Sequence, residues 1–227
     1  IALFKEDIAY QVKAGFSKVV LWEDIRRLRP PNLKVSPVAV VPQAGRRGRI
    51  ILDLSFPVYQ EVNGVATATQ ASVNSTTVIT APTTPVKEIG KVLPRMLQYM
   101  RDTPVGLHIL FSKLDISDGF WRLVVKDDDA FNFAYVLPQP PGAPIKLVVP
   151  TSLQMGWIES PPYFCAATET ARDIVTEYTN MPVGSLPPHK FVTYTTNGRS
   201  YTDLPDEHED QRFRTLVEVY VDDFMSL

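Results

Sequence analysis

Two segments of this chain put carboxylates where apolar strands end, and that placement limits how the chain can fold. The run HILFSKLDI reads as a buried strand with Asp115 near its end. The run LVEVYVDDFMSL reads as strand with a charged break at Asp222 and Asp223. Carboxylates at the ends of two strands can converge although they lie far apart in the chain. Two or three of them together repel one another and push their own pKa values up. A divalent ion removes that penalty, and an all-oxygen ligand set without His or Cys favours Mg²⁺ or Mn²⁺. Taken singly, each piece has a plainer reading, because an Asp at a strand end or an Asp-Asp pair in a hairpin commonly just favours a turn. On these residues alone both readings stand.

Composition narrows the class. The chain has 227 residues, 44% hydrophobic and 21% charged, enough to bury a sizeable core. Its longest apolar runs are far too short to span a bilayer, and IALFKEDIAY lacks the basic-then-apolar order of a secretory signal. Cys165 is the single cysteine, which excludes a disulfide framework or a cysteine-rich zinc site within one chain and suits the cytosol or nucleus. His108, His189 and His208 share no metal-ligand spacing. The net charge of -2 gives no sign of a nucleic-acid binder, although a basic stripe can sit inside a neutral total. With no initiator Met, and with an end that falls directly after an apolar run, both termini read as cuts in a longer protein.

Along the chain, Ile8, Val12, Phe16, Val19 and Val20 give helical spacing over residues 1–29, ended by Arg29-Pro30-Pro31. VSPVAVVPQ and RIILDLSF, joined by AGRRG, predict a hairpin with a basic loop. Residues 60–85 predict a long connection with at most one short strand. Val86 to Arg101 again carry helical spacing, at Ile89, Val92, Leu93, Met96, Leu97 and Met100, with Pro94 marking a kink or a later start. FWRLVV reads as a helix or a second strand after a turn, and residues 130–149 as a β-meander broken at QPPGAP. SPPYFCAATETARDIVTEY reads as a helix capped by Ser160, and residues 179–212 as an exposed insertion.

Four segments then carry a resemblance. Tyr-Val-Asp-Asp at 220–223 resembles the Tyr-x-Asp-Asp box of reverse transcriptases, and KLDISDGFWRLVV the first catalytic motif of that family. SLQMGWIESPPYF resembles its template-and-nucleotide motif, and VPQAGRRGRIILDLS its fingers hairpin. All four occur in the family's order, with the likeness closest to enzymes of long-terminal-repeat retrotransposons and retroviruses. The resemblance implies an α+β right-hand polymerase with fingers and palm. The palm is a ferredoxin-like antiparallel sheet backed by helices, cut off before the thumb. Residues 1–104 would be mainly fingers, and 105–227 mainly palm with a fingers insertion around 130–150. The strand of Asp115 would pair with the hairpin of Asp222 and Asp223, whose second arm would be left unpaired at the end of the chain.

Carried over residue by residue, the resemblance makes Asp115, Asp222 and Asp223 the catalytic ligands of two Mg²⁺ or Mn²⁺ ions. It gives nucleotide binding to Arg49, Asp53, Phe120, Met155 and Gly156, with Phe120 as the ring beneath the sugar that excludes a ribose 2′-hydroxyl. Either Arg46 or Arg47 takes the second phosphate contact. Trp157, Ser160, Pro161 and Tyr220 take template or primer contacts. The chain departs from the family at Met155, Glu159 and Ser55. The implied activity is RNA-directed DNA synthesis: nucleotidyl transfer from dNTPs to a primer 3′-hydroxyl on an RNA or DNA template. No membrane is involved. The expected setting is cytoplasmic or nuclear, including virus-like particles, with thumb, RNase H and integrase outside this chain. As a fragment it would polymerise weakly or not at all. The competing readings are a catalytically decayed, nucleic-acid-binding remnant of a retroelement and a metal-dependent phosphohydrolase or nuclease.

Overall fold

The computed structural model describes residues 2–180, 193–196, 199–202 and 216–227. Helix α1 (Ala2–Ala14), strand β1 (Ser17–Leu21) and helix α2 (Trp22–Leu28) come first. Hairpins β2–β3 (Val38–Gln43, Arg46–Leu52) and β4–β5 (Val58–Val62, Val65–Gln70) follow. Short helices α3 (Val73–Thr76) and α4 (Thr84–Glu88) lead to α5 (Val92–Asp102) and β6 (Ser112–Asp115). Next come α6 (Asp127–Ala130), β7 (Tyr135–Val136), β8 (Lys146–Pro150) and the long α7 (Ser160–Asn180). Hairpins β9–β10 (Thr193–Thr196, Arg199–Thr202) and β11–β12 (Val217–Tyr220, Asp223–Ser226) complete the described elements. Among the described residues no helix is long and apolar enough to cross a membrane.

These elements form two compact units that interleave along the chain, Ile1–Val86 with Ser117–Ala166 and Lys87–Ile116 with Ala167–Leu227. The sequence suggested one boundary near residue 104 and a return over 130–150. In the structure α5 belongs to the unit that carries the three aspartates, and the returning stretch is longer.

The first unit is built on the antiparallel sheet β1–β8–β7, with Val19 opposite Val148 and Tyr135 on the other side of Val148. Residues 1–29 are therefore not one helix. Gly15, at φ 80°, turns the chain out of α1, and the following Ser-Lys-Val-Val-Leu has the β-branched content that suits a strand. Ile8, Leu52, Leu54, Val73, Phe133, Tyr135 and Val148 form its main core. The expected β2–β3 hairpin forms, but its turn is Ala44–Gly45 alone: Arg46, Arg47 and Arg49, expected in a basic loop, lie on β3, with Arg47 and Gly48 bulged opposite Pro42, which has no N–H for the ladder. Residues 58–70, expected as mostly connection, are a second hairpin. Asn63 and Gly64, both at positive φ, form the tight two-residue turn that Asn-Gly favours. Residues 130–149 give only two strands, β7 and β8; a 3-10 turn occupies Phe131–Phe133.

The second unit holds the three-stranded antiparallel sheet β11–β12–β6. The expected pairing of the Asp115 strand with the Asp222–Asp223 hairpin is present, but two details differ. β12, the arm expected to stand unpaired, is the central strand, hydrogen-bonded to both neighbours. β6 is short and solvent-exposed along its whole length rather than buried. Helix α5 starts at Val92, which puts Pro94 in its first turn, where a missing N–H costs no hydrogen bond. α7 begins at Ser160 as expected, but the Ser160 hydroxyl donates to the carbonyl of Gln154 instead of capping the helix. Most of the insertion expected over 179–212 lies outside the described residues.

Candidate functional site

The register of the second unit's sheet sets the site. Asp223 lies directly opposite Asp115 across β12 and β6, and Tyr220 lies opposite Asp223 on β11. Residues directly opposite one another point to the same face of a sheet, so the two carboxylates are neighbours by construction. Asp222 sits in the turn, and its carbonyl accepts a 3.0 Å hydrogen bond from the N–H of Ile116, which ties the turn to the residue after Asp115. One carboxylate oxygen from each of Asp115, Asp222 and Asp223 lies within 4.8 Å of the other two.

The turn itself is strained. Val221 adopts φ 59°, while Asp222 is not in the left-handed region, so Val221 stands where such a turn ordinarily takes glycine. For a β-branched residue this conformation persists only when the surroundings impose it.

Lys113, one step along β6 on the same face, places its Nζ 2.7 Å from Asp223 Oδ2. That hydrogen bond, with the charges of Asp115 and Asp222 behind it, holds the ammonium above its ordinary pKa. One lysine against three carboxylates leaves the cluster acidic.

The same face carries a second, buried ionic group. Glu218 is 2% exposed and receives two hydrogen bonds from Arg95 of α5, at 2.5 Å from Nε and 2.6 Å from Nη2. Nη1 of Arg95 also donates to Glu88 at 2.8 Å, and Arg172 of α7 approaches Glu218 to 3.7 Å. The bonds that Arg95 donates to Glu218 and Glu88 push its pKa further up. Arg172 also lies 2.7 Å from Glu169 but out of line for a hydrogen bond, and burial pushes the Glu169 carboxyl up.

The other expected site residues belong to the first unit. Arg49 is exposed on β3. Arg47 pairs with Asp7 at 2.6 Å and Glu6 at 3.0 Å within its own unit. The side chain of Arg46 lies outside what the structure describes. Phe120 packs at a tilt against Phe164, ring centres 4.8 Å apart, beside Gly119, where a Cβ would come 2.7 Å from the Phe164 ring. Met155 is 69% exposed. Gly156 has φ +98°, a conformation open to glycine. Trp157 is half-buried, donates to Thr77 and packs edge-on against Phe133. Pro161 is exposed, whereas Ser160 is fully buried. The Ser160 side chain, expected at the template, presents no surface in this structure.

Two residues outside the expected set organise this region. Asn74 donates to Ser55 Oγ at 2.8 Å and to the Gly156 carbonyl at 2.9 Å, and accepts from the Ile158 N–H at 3.1 Å. It joins the loop of Asp53 to the Met155–Trp157 segment, with both amide N–H donors and the amide oxygen engaged. Glu159, 1% exposed, accepts the N–H groups of Thr80 and Ala81, each at 2.7 Å. Both act across about eighty residues of chain, which no local spacing signals.

No protein-family model matches the chain, and no curated protein matches it at a significant level.

Proposed function

We propose that this chain is the fingers-and-palm part of a reverse-transcriptase-like polymerase, transferring nucleotidyl groups from dNTPs to a primer 3′-hydroxyl on an RNA or DNA template. The observation that carries the reading is the convergence of Asp115, Asp222 and Asp223 on one end of one sheet. The donor set fits Mg²⁺ or Mn²⁺, being all carboxylate oxygen, acidic after Lys113 is counted, and free of His and Cys. When bound, a pair of such ions supplies a lowered pKa at the primer hydroxyl and charge for the departing pyrophosphate.

The chain's own residues do the positioning. The three aspartates hold the ligating oxygens in fixed register, and the strained Val221 turn keeps Asp222 beside Asp223. Arg49 offers a planar fork suited to triphosphate oxygens. Phe120, braced by Phe164, supplies a ring against the sugar of a deoxynucleotide. Asn74 fixes the Gly156 backbone for close approach of a base or sugar.

The test is primer extension on an RNA template, using the full natural polypeptide that carries these residues, with Mg²⁺ or Mn²⁺ and dNTPs. Wild type is expected to extend the primer, and Asp222→Asn to abolish extension without loss of template binding. Template binding with no extension by wild type would point instead to a non-catalytic binder. Cleavage of nucleic acid in place of synthesis would point to a nuclease.

A further inference from the structure

Glu218 is an unusual residue to find inside this sheet. It sits between Val217 and Val219 on β11, and all three are buried. Side chains alternate along a strand, so Glu218 shares a face with Tyr220. In the register Glu218 opposes Met225 and Met225 opposes Lys113, while the next row holds Tyr220, Asp223 and Asp115. Glu218 is therefore one step, roughly 7 Å, behind the carboxylate row. An unpaired charge buried there would be costly and would add a fourth negative charge to the cluster. The bidentate bond from Arg95 prevents both.

Among the described residues β11, like β6, is an edge strand, with ladder bonds to β12 on one side, and it is the one that feeds directly into the strained turn at Val221. β12 is held by ladders on both sides. What fixes β11 from its own face is the Arg95 fork, itself oriented by Glu88. If β11 shifts, the turn can relax, and the Asp222–Asp223 pair loses its register against Asp115.

We propose that Arg95 and Glu218 are a positioning pair for the aspartate triad, locking the edge strand to α5 so that the three carboxylates keep the spacing a divalent cation requires. This inference rests on the reading of the triad as a divalent-cation site. It assigns a role to two residues that touch neither ion nor substrate.

The test is a titration of this chain with Mn²⁺ alone, followed by the EPR signal of the free ion, with urea denaturation in parallel. The variants are Arg95→Met/Glu218→Met, Arg95→Lys and Asp222→Asn. Apolar replacement of both partners of a buried pair generally preserves the fold, so the double variant separates positioning from stability. It is expected to unfold at a similar urea concentration yet bind Mn²⁺ about tenfold more weakly, the scale seen when outer supports of metal ligands are removed. A double variant with wild-type Mn²⁺ affinity overturns the proposal. Should it fail to fold, Arg95→Lys keeps the charge but loses the fork. A several-fold weaker affinity then supports the pair, and unchanged affinity overturns it. If wild type and Asp222→Asn bind Mn²⁺ alike, the reading of the triad fails first, a result distinct from a wild type that binds and a double variant that binds equally well.

Discussion

Glu218 and Glu159 on one side, and Asp115, Asp222 and Asp223 on the other, show two ways for carboxylates to live in one chain. Glu218 and Glu159 are buried, and each meets strong donors: a guanidinium fork at 2.5 and 2.6 Å, and two main-chain N–H groups at 2.7 Å. The aspartates lie nearer solvent and gather within 4.8 Å of one another, and among the described residues one ion pair, from Lys113, reaches them. Burial demands a partner for every charge; exposure tolerates repulsion, but at a cost. The buried carboxylates are thus explained by the fold, and the aspartates are not. Carboxylates gathered in fixed register beside a strained turn are what the proposed cation-binding role would require.

The largest effect expected of this contrast is at Arg95. Arg95→Met leaves Glu218 buried with only the more distant Arg172 beside it, and should cost about 3–5 kcal/mol in urea unfolding. A loss below 1 kcal/mol would show that Glu218 does not depend on this partner. Next, Glu159→Ala strips the Thr80 and Ala81 N–H groups of their acceptor, for an expected loss of about 1–3 kcal/mol. Stability equal to wild type there would mean that water reaches the site and that the two sets of carboxylates differ less than the geometry indicates.

The sequence made the three aspartates visible because they end apolar runs, but strand geometry alone left a turn reading beside the cation reading, and the resemblance of the flanking segments favoured the second. It made β2–β3 and α7 legible through turn residues and helical spacing. It also carried signals that went unread. Asn63-Gly64 is a strong local hairpin sign, obscured by the Thr- and Ala-rich stretch around it. Gly15 followed by Val19 and Val20 marked a strand that the helical spacing of 1–29 masked. Glu218 inside VEVYV was a charge in a strand with apolar neighbours on both sides, and such a residue implies a partner. That the partner is Arg95 could not be read, since a lone arginine on an amphipathic helix reads as surface. Asn74 and Glu159 were invisible for the same reason: their roles exist only in tertiary contact.

Smaller effects sharpen the aspartate side of the comparison. Val221→Gly should relieve the positive φ and raise stability by about 1 kcal/mol after the entropic cost of glycine, while weakening the hold on Asp222. A destabilised variant would instead show that the valine side chain packs favourably there. The smallest effect concerns pH. The Lys113 ammonium is held above its ordinary value of 10.5 by its bond to Asp223, with Asp115 and Asp222 contributing. Its stabilising contribution is therefore complete below that ordinary value and lost as pH rises through the elevated one. Chemical denaturation across alkaline pH should show that decline in wild type and a shallower one in Lys113→Met. Parallel profiles would mean that the ion pair is not formed in solution.

The most direct test of the cation-site reading is anomalous scattering from crystals of this chain grown with Mn²⁺. The account predicts a manganese peak at about 2.0–2.2 Å from carboxylate oxygens of Asp115, Asp222 and Asp223, with Lys113 displaced from Asp223, and no such peak in Asp222→Asn. Crystals of wild type saturated with Mn²⁺ that show no peak there, with Lys113 still bound to Asp223, would contradict it.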